Sequence, residues 1–143
     1  PTRALAGSGE VKDMLFGCRK GGSTGGTGRF GEGVARRHLE ERGYEILDTN
    51  YRKRFGEVDI VARRSGTIVF VEVKTRHTSR FGTGLEAVDG RKQRQLARIA
   101  QDYLAARHLE SAAARFDVVA VTLDHNAQPV TIDHIENAFE LSE

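Results

Sequence analysis

The stretch Gly56-Glu57-Val58-Asp59-Ile60-Val61-Ala62-Arg63-Arg64-Ser65-Gly66-Thr67-Ile68-Val69-Phe70-Val71-Glu72-Val73-Lys74 reads as two strands joined by a tight turn. β-branched and aromatic residues fill both arms, and Ser65-Gly66 supplies the reversal. With the loop running from Arg64 to Thr67, Val58 faces Val73, Ile60 faces Val71 and Ala62 faces Val69 on one side of the hairpin. The other side then pairs Val61 with Phe70, Asp59 with Glu72 and Glu57 with Lys74. A loop one residue shorter would set apolar side chains against charged ones, so the pattern selects this register.

Directly opposed Asp59 and Glu72 would have Cβ atoms about 5 Å apart, a destabilising pairing of like charges that folding alone does not require. A divalent cation removes the repulsion, and Mg²⁺ is commonly held by one or two carboxylates together with water and substrate phosphate. Lys74 lies two residues beyond Glu72 on the same face, within reach of a phosphate or an attacking water. The three side chains have the parts for metal-assisted phosphodiester hydrolysis. A second reading stays open at this point: a solvated hairpin face, with Lys74 neutralising Glu57 and arginines covering the acids. Val61 and Phe70 share that face, however, so part of it needs a cover.

Working outward, Gly33 to Arg42 is rich in helix formers, with Val34, Ala35, His38 and Leu39 as an apolar stripe and Gly43 as a stop signal. Tyr44 to Asp48 alternates like a strand, and Asn50 starts a polar connection. After a loop from Arg76 to Gly84, a long helix is expected from about Leu85 to Arg107. Its residues Leu96, Ile99, Ala100, Tyr103 and Leu104 recur on one face. Phe116 to Leu123 is a buried strand, Val130 to Ile132 an edge strand, and a short terminal helix is expected from Glu136. The order α-β-β-β-α-β-β implies one α/β domain around a mixed sheet.

Eight of the 16 glycines fall in residues 1–28. This region is expected to be a flexible Gly-rich leader, followed by a single domain over 29–143. Gly26, Gly28 and Gly31 match G-x-G-x-x-G, but no convincing strand precedes them, which argues against a dinucleotide site.

The 143 residues carry 22 Lys plus Arg against 20 Asp plus Glu, a net of +2. Residues 29–98 hold 16 basic and 10 acidic side chains, whereas residues 99–143 hold two basic and eight acidic ones. A basic middle and an acidic tail suit an anionic partner that meets one face. Arg91, Arg94 and Arg98 recur on one face of the second helix beside Gln95, and Arg36, Arg52, Arg54, Arg76, Arg80 and Lys92 add positive positions. Such a surface binds phosphates with little sequence preference and strong salt dependence. A solvated helix face accounts equally well for the stripe alone. The single cysteine, Cys18, excludes an internal disulfide or a thiolate cluster. Without a signal-like segment or a run long enough to span a bilayer, a cytoplasmic protein away from the membrane is expected.

Asp59 followed by Glu72-Val73-Lys74 resembles the D…ExK core of the PD-(D/E)xK nuclease superfamily. More closely, the chain is similar to the small bacterial YraN-like family, related in fold to archaeal Holliday-junction resolvases. The matching stretches include Gly31-Glu32-Gly33-Val34-Ala35, Asn50-Tyr51-Arg52, Gly56 to Val61, Phe70 to Arg76, Lys92 and Arg115-Phe116-Asp117. The similarity extends to about Phe139.

That resemblance implies a restriction-endonuclease-like three-layer core, with a mixed central sheet flanked by helices. It implies a Mg²⁺- or Mn²⁺-dependent DNA endonuclease that acts on branched or otherwise structured DNA. Asp59 and Glu72 would be metal ligands, the carbonyl of Val73 a further one, Glu32 the first acidic position and Lys74 the catalytic lysine. Val58 stands where a PD motif has proline. Symmetric cutting of a junction would make a homodimer useful. A non-cleaving nucleic-acid-binding accessory protein with the same fold is the alternative.

Overall fold

The computed structural model describes residues 2–4, 26–77 and 89–139. Strand β1 (Thr2–Ala4) is followed by helix α1 (Gly26–Glu41) and strands β2 (Glu45–Lys53), β3 (Gly56–Arg64) and β4 (Thr67–His77). Helix α2 (Gly90–Ala106) then leads to β5 (Ala113–Leu123) and β6 (Pro129–Ile135). The described strands form one sheet in the order β1-β6-β5-β4-β3-β2. Only β4 and β5 run parallel, because α2 carries the chain across the sheet between them; every other pairing is antiparallel.

Each helix covers one face. Phe30, Val34, Ala35 and Leu39 of α1 pack on Ile60, Ala62, Val69, Val71, Val119 and Val121. Leu96, Ile99, Ala100 and Tyr103 of α2 pack on Val61, Ile68, Phe70, Phe116 and Val118. The near-continuous apolar runs of β4 and β5 follow from this, since strands buried on both faces have no side free for polar residues. The result is the three-layer, restriction-endonuclease-like α/β core with its mixed sheet between helices.

Several boundaries differ from expectation. Helix α1 begins at Gly26 rather than Gly33, and its stop is as expected: Gly43 takes φ +87°, with Gly43 N–H donating to Glu40 O at 3.1 Å. The long second helix is described from Gly90 onward, and Asp89 caps it by accepting the Lys92 N–H at 2.8 Å. Strand β6 is longer than its apolar core and lies inside the sheet, because Thr2–Ala4 pairs with it. Glu136-Asn137 forms a turn instead of starting a helix through Phe139. The Ala138 N–H donates to Phe116 O at 2.7 Å, and Phe139 stacks on Phe116 with ring centroids 4.8 Å apart. Arg80 and the expected leader before Gly26, apart from Thr2–Ala4, lie outside the described residues.

The hairpin register is as expected from Arg64↔Thr67 to Ile60↔Val71, and there the paired ladder stops. The expected pairs Val58/Val73, Asp59/Glu72 and Glu57/Lys74 do not form. Side-chain alternation also breaks across Asp59: Val58 packs on the α2 side with Val61, whereas Ile60 packs on the α1 side. On the neighbouring strand the pairs Thr49↔Ile60 and Tyr51↔Val58 bracket Asn50, which adopts a left-handed φ of 53° inside β2. Asn tolerates this conformation far better than β-branched residues do. The polar residue that reads as the start of a loop is therefore an irregularity within a strand.

A buried polar group braces the α1 side of the sheet. Asp117 accepts from Arg115 Nε at 3.0 Å and from the Asn137 N–H at 2.9 Å, and lies 2.8 Å from His134 Nε2. Burial pushes Asp117 up, but the hydrogen bonds from His134, Asn137 and Arg115 outweigh it and hold the carboxyl below its ordinary range. His38 of α1 packs edge-on against His134 at 5.5 Å.

Candidate functional site

Three carboxyls meet where β3 and β4 part. Glu32 arrives from α1, Asp59 from β3 and Glu72 from β4. The approach of α1 is made possible by Gly31, where a Cβ would collide with the Thr75 side chain on β4. Asp59 accepts the backbone N–H of Val73 at 2.8 Å, substituting a side-chain oxygen for a ladder partner. Its carboxyl also interacts closely with those of Glu72 and Glu32. The Asn50 side chain lies near Glu32 and slightly lowers its pKa against the rise from burial. Asn50 is a site residue that sequence reasoning placed in a connection, and nothing in the sequence pattern marked it.

The electrostatics follow from this crowding. Burial is the largest influence on all three acids and raises each of them. Glu72, whose side chain is 12% exposed, is pushed up to about 8 by burial and then by the neighbouring Asp59. Lys92 Nζ lies 3.2 Å from Glu72 Oε2 and pulls in the opposite direction without overcoming the rise. Glu72 is thus held well above the ordinary carboxylate range, and the Lys92 ammonium is the nearby positive charge that offsets part of the rise.

This arrangement disfavours a solvated hairpin face. Asp59 and Glu72 are largely withdrawn from water, and Glu57 is paired with Arg52 at 2.8 Å. Lys74 follows on β4, half-buried. The residues suit a hard divalent cation in donor type, being carboxylate oxygens whose mutual repulsion a cation would relieve. Among the described residues, no group of three or more His, Cys, Asp or Glu side chains is already spaced as a metal cage.

The expected cationic positions divide into two sets. Arg36 lies 3.8 Å from Glu40, Arg52 is paired with Glu57, and Arg76 is 3.9 Å from Asp133. Lys92 is turned toward Glu72. By contrast, Arg54, Arg91, Arg94 and Arg98 are exposed and have no acidic partner among the described residues. Arg98 lies over the Phe55 ring at 4.4 Å, and Gln95 packs against Gly56, so the outer face of α2 adjoins the β2–β3 turn. Tyr51 is occupied structurally: its hydroxyl donates to Asp102 at 2.6 Å. No helix among the described residues is long and apolar enough to cross a membrane.

Comparison with known proteins gives a consistent picture. The chain is 49% identical over 116 residues to a UPF0102 protein of Syntrophus aciditrophicus, covering 81% of this chain and 90% of that protein. It is 47% identical over 112 residues to a UPF0102 protein of Moorella thermoacetica, covering 78% and 93% respectively. Among solved structures, Pyrococcus furiosus SfsA in complex with Ca²⁺ is similar at a TM-score of 0.36 and 16% identity. That match covers 80% of this chain and 64% of the other, and it carries no weight for fold or function. The family described as "Uncharacterised protein family UPF0102" matches residues 31–121, and with these relatives the chain belongs to that family, the YraN-like group to which its motifs pointed.

Proposed function

We propose that the protein is a metal-dependent DNA endonuclease that hydrolyses phosphodiester bonds, with branched DNA as its preferred substrate. The observation that carries this reading is the position of Asp59, which accepts the Val73 N–H where β3 and β4 part and interacts with both Glu32 and Glu72, with Lys74 two residues beyond Glu72 on β4. Asp59, Glu72 and the carbonyl of Val73 would hold Mg²⁺ or Mn²⁺, and Glu32 would support the ion or its water. A cation bound there would supply Lewis acidity toward the phosphate and toward an attacking water at neutral pH. Lys74 orients the attacking oxygen and offsets charge developing on the phosphate. Arg54, Arg91, Arg94 and Arg98 hold the DNA backbone by charge, without reading sequence. Paired cuts across a junction would use two copies of the site in a two-fold dimer.

The test is cleavage of linear, nicked, branched and single-stranded DNA with Mg²⁺, Mn²⁺ or chelator, using the wild type beside Lys74→Ala. The reading requires product that depends on the metal and falls by about 10²–10⁴-fold in the variant. Cleavage that persists in chelator with Lys74 removed overturns the mechanism. A second reading is a non-cleaving DNA-binding protein, which the exposed Arg54, Arg91, Arg94 and Arg98 would serve without any chemistry. It predicts salt-sensitive DNA binding with no product on any substrate.

A further inference from the structure

The first turn of α2 sends one side chain back toward the carboxyls. The Asp89 cap fixes the Lys92 backbone, and Lys92 Nζ reaches Glu72 Oε2 at 3.2 Å. Its neighbours Arg91 and Arg94 are exposed, with no acidic partner among the described residues. A cation in the first helical turn opposes the helix dipole, so α2 gains nothing locally from lysine at this position. The gain lies across the gap, on β4.

Lys92 is also built to leave. Its side chain is 38% exposed while that of Glu72 is 12% exposed, so the ammonium stands at the solvent side of the cluster. A flexible four-carbon stem lets the charge move without disturbing the helix. An ammonium on a carboxylate oxygen and a divalent cation on the same carboxylate repel one another strongly at such separations. Exposed Arg91 and Arg94 on the same helical turn add positive charge that an incoming phosphate would meet.

We propose that Lys92 is the resident counter-cation of the Glu32–Asp59–Glu72 cluster, occupying the side of Glu72 where a divalent cation binds, and that it transfers to a DNA phosphate when that cation is held. This rests on the metal-dependent reading above and adds a residue to it. Lys92 then has opposite effects on two steps: it weakens metal binding to the free protein and strengthens the hold on DNA.

Calorimetric titration of Mn²⁺ into the full chain without DNA, in wild type, Lys92→Gln and Lys92→Arg, separates the cases. Lys92→Gln is expected to bind Mn²⁺ about five- to tenfold tighter than wild type. Lys92→Arg, which keeps the charge and the backbone cap, is expected to bind within about twofold of wild type. At saturating Mn²⁺, Lys92→Gln is expected to bind branched DNA several-fold more weakly. Unchanged or weaker Mn²⁺ binding by Lys92→Gln, with circular dichroism matching wild type, overturns the proposal alone. If Lys92→Gln fails to fold, tighter Mn²⁺ binding by Lys92→Arg than by wild type overturns it, and parity with wild type supports it. Absence of Mn²⁺ binding by the wild type overturns the metal-dependent reading and this proposal with it.

Discussion

The carboxyl of Asp59 accepts the backbone N–H of Val73 at 2.8 Å, so a side chain of β3 substitutes for a main-chain partner of β4. This single contact explains why pairing between these strands stops after Ile60↔Val71. Continued pairing would leave Asp59 and Glu72 as an opposed acidic pair on a flat face. Parting the strands instead turns Asp59 toward α1, where Glu32 stands. The site is thus made by interrupting the sheet at the residue that carries its central charge.

Replacing that residue separates folding from function. Asp59→Asn keeps an oxygen to accept the Val73 N–H while removing the middle charge of three crowded acids. Because burial raises Asp59 above its unfolded value, its ionised form opposes folding at neutral pH. The variant is expected to melt about 2–6 °C higher than wild type in metal-free buffer at pH 7.5. It is also expected to lose Mn²⁺ binding and cleavage. Differential scanning calorimetry checks the first expectation and titration the second; a melting point well below that of wild type contradicts this account of the cluster.

The hairpin was legible because apolar alternation fixes register: slipping Val61 against anything but Phe70 would expose half the core. The two helices were legible from stripes such as Leu96, Ile99 and Tyr103. The irregularity at Asp59 and Asn50 was not, since period-two patterning assumes an unbroken ladder and carries no information about where one stops. Strand β1 was hidden by its length, three residues in a Gly-rich region. The Asp117–His134 contact joins neighbouring strands β5 and β6, and isolated histidines in a sequence give no sign of such a partner.

Asn50 offers a test of the irregularity itself. Its left-handed φ of 53° and its polar side chain near Glu32 make different demands on a substitute. Asn50→Gly satisfies the backbone and loses the polar side chain beside Glu32; Asn50→Ala loses both. The alanine variant is expected to be less stable than the glycine variant by roughly 1 kcal/mol in urea denaturation, while both loosen Glu32 and weaken Mn²⁺ binding. Equal urea midpoints for the two variants would show that the strand relaxes and that the backbone conformation does not matter.

Acid should destabilise the fold through His38. Burial, and then the nearby Arg42 and His134, lower its pKa to about 4, while Glu41 pulls weakly upward. The unfolded chain therefore binds a proton near pH 6.5 that the folded chain refuses until about pH 4. Between these values stability rises with pH, so it is fully present above 6.5 and lost on acidification, by on the order of 3 kcal/mol for this group. Asp117, held below its ordinary range, adds a loss of the same sign at lower pH. His38→Leu removes the first contribution. Its stability curve is expected to be flatter than that of wild type between pH 6.5 and 4, as measured by urea midpoints at each pH. A slope identical to that of wild type would assign the acid sensitivity elsewhere.

The arginines provide the sharpest contrast, because the structure sorts residues of one type by whether their charge is already used. Arg63 is paired with Glu45 at 2.8 Å and Arg107 with Asp48 at 2.7 Å. Removing either should leave DNA affinity nearly unchanged, since a paired guanidinium has little field left for a phosphate. Arg94 and Arg98 have no such partner among the described residues, and Arg98 is held over Phe55 on the flank of the β2–β3 turn. Each phosphate contact displaces counterions, so losing one should lower the slope of log affinity against log salt by about 0.9 on duplex DNA. Arg94→Ala/Arg98→Ala is therefore expected to reduce the slope by about 2 and weaken binding equally across sequences, measured by fluorescence anisotropy over a salt series. Arg63→Ala should retain the wild-type slope. If the paired and unpaired arginines prove equivalent, the DNA does not approach over α2, and the cationic face of that helix is merely solvated.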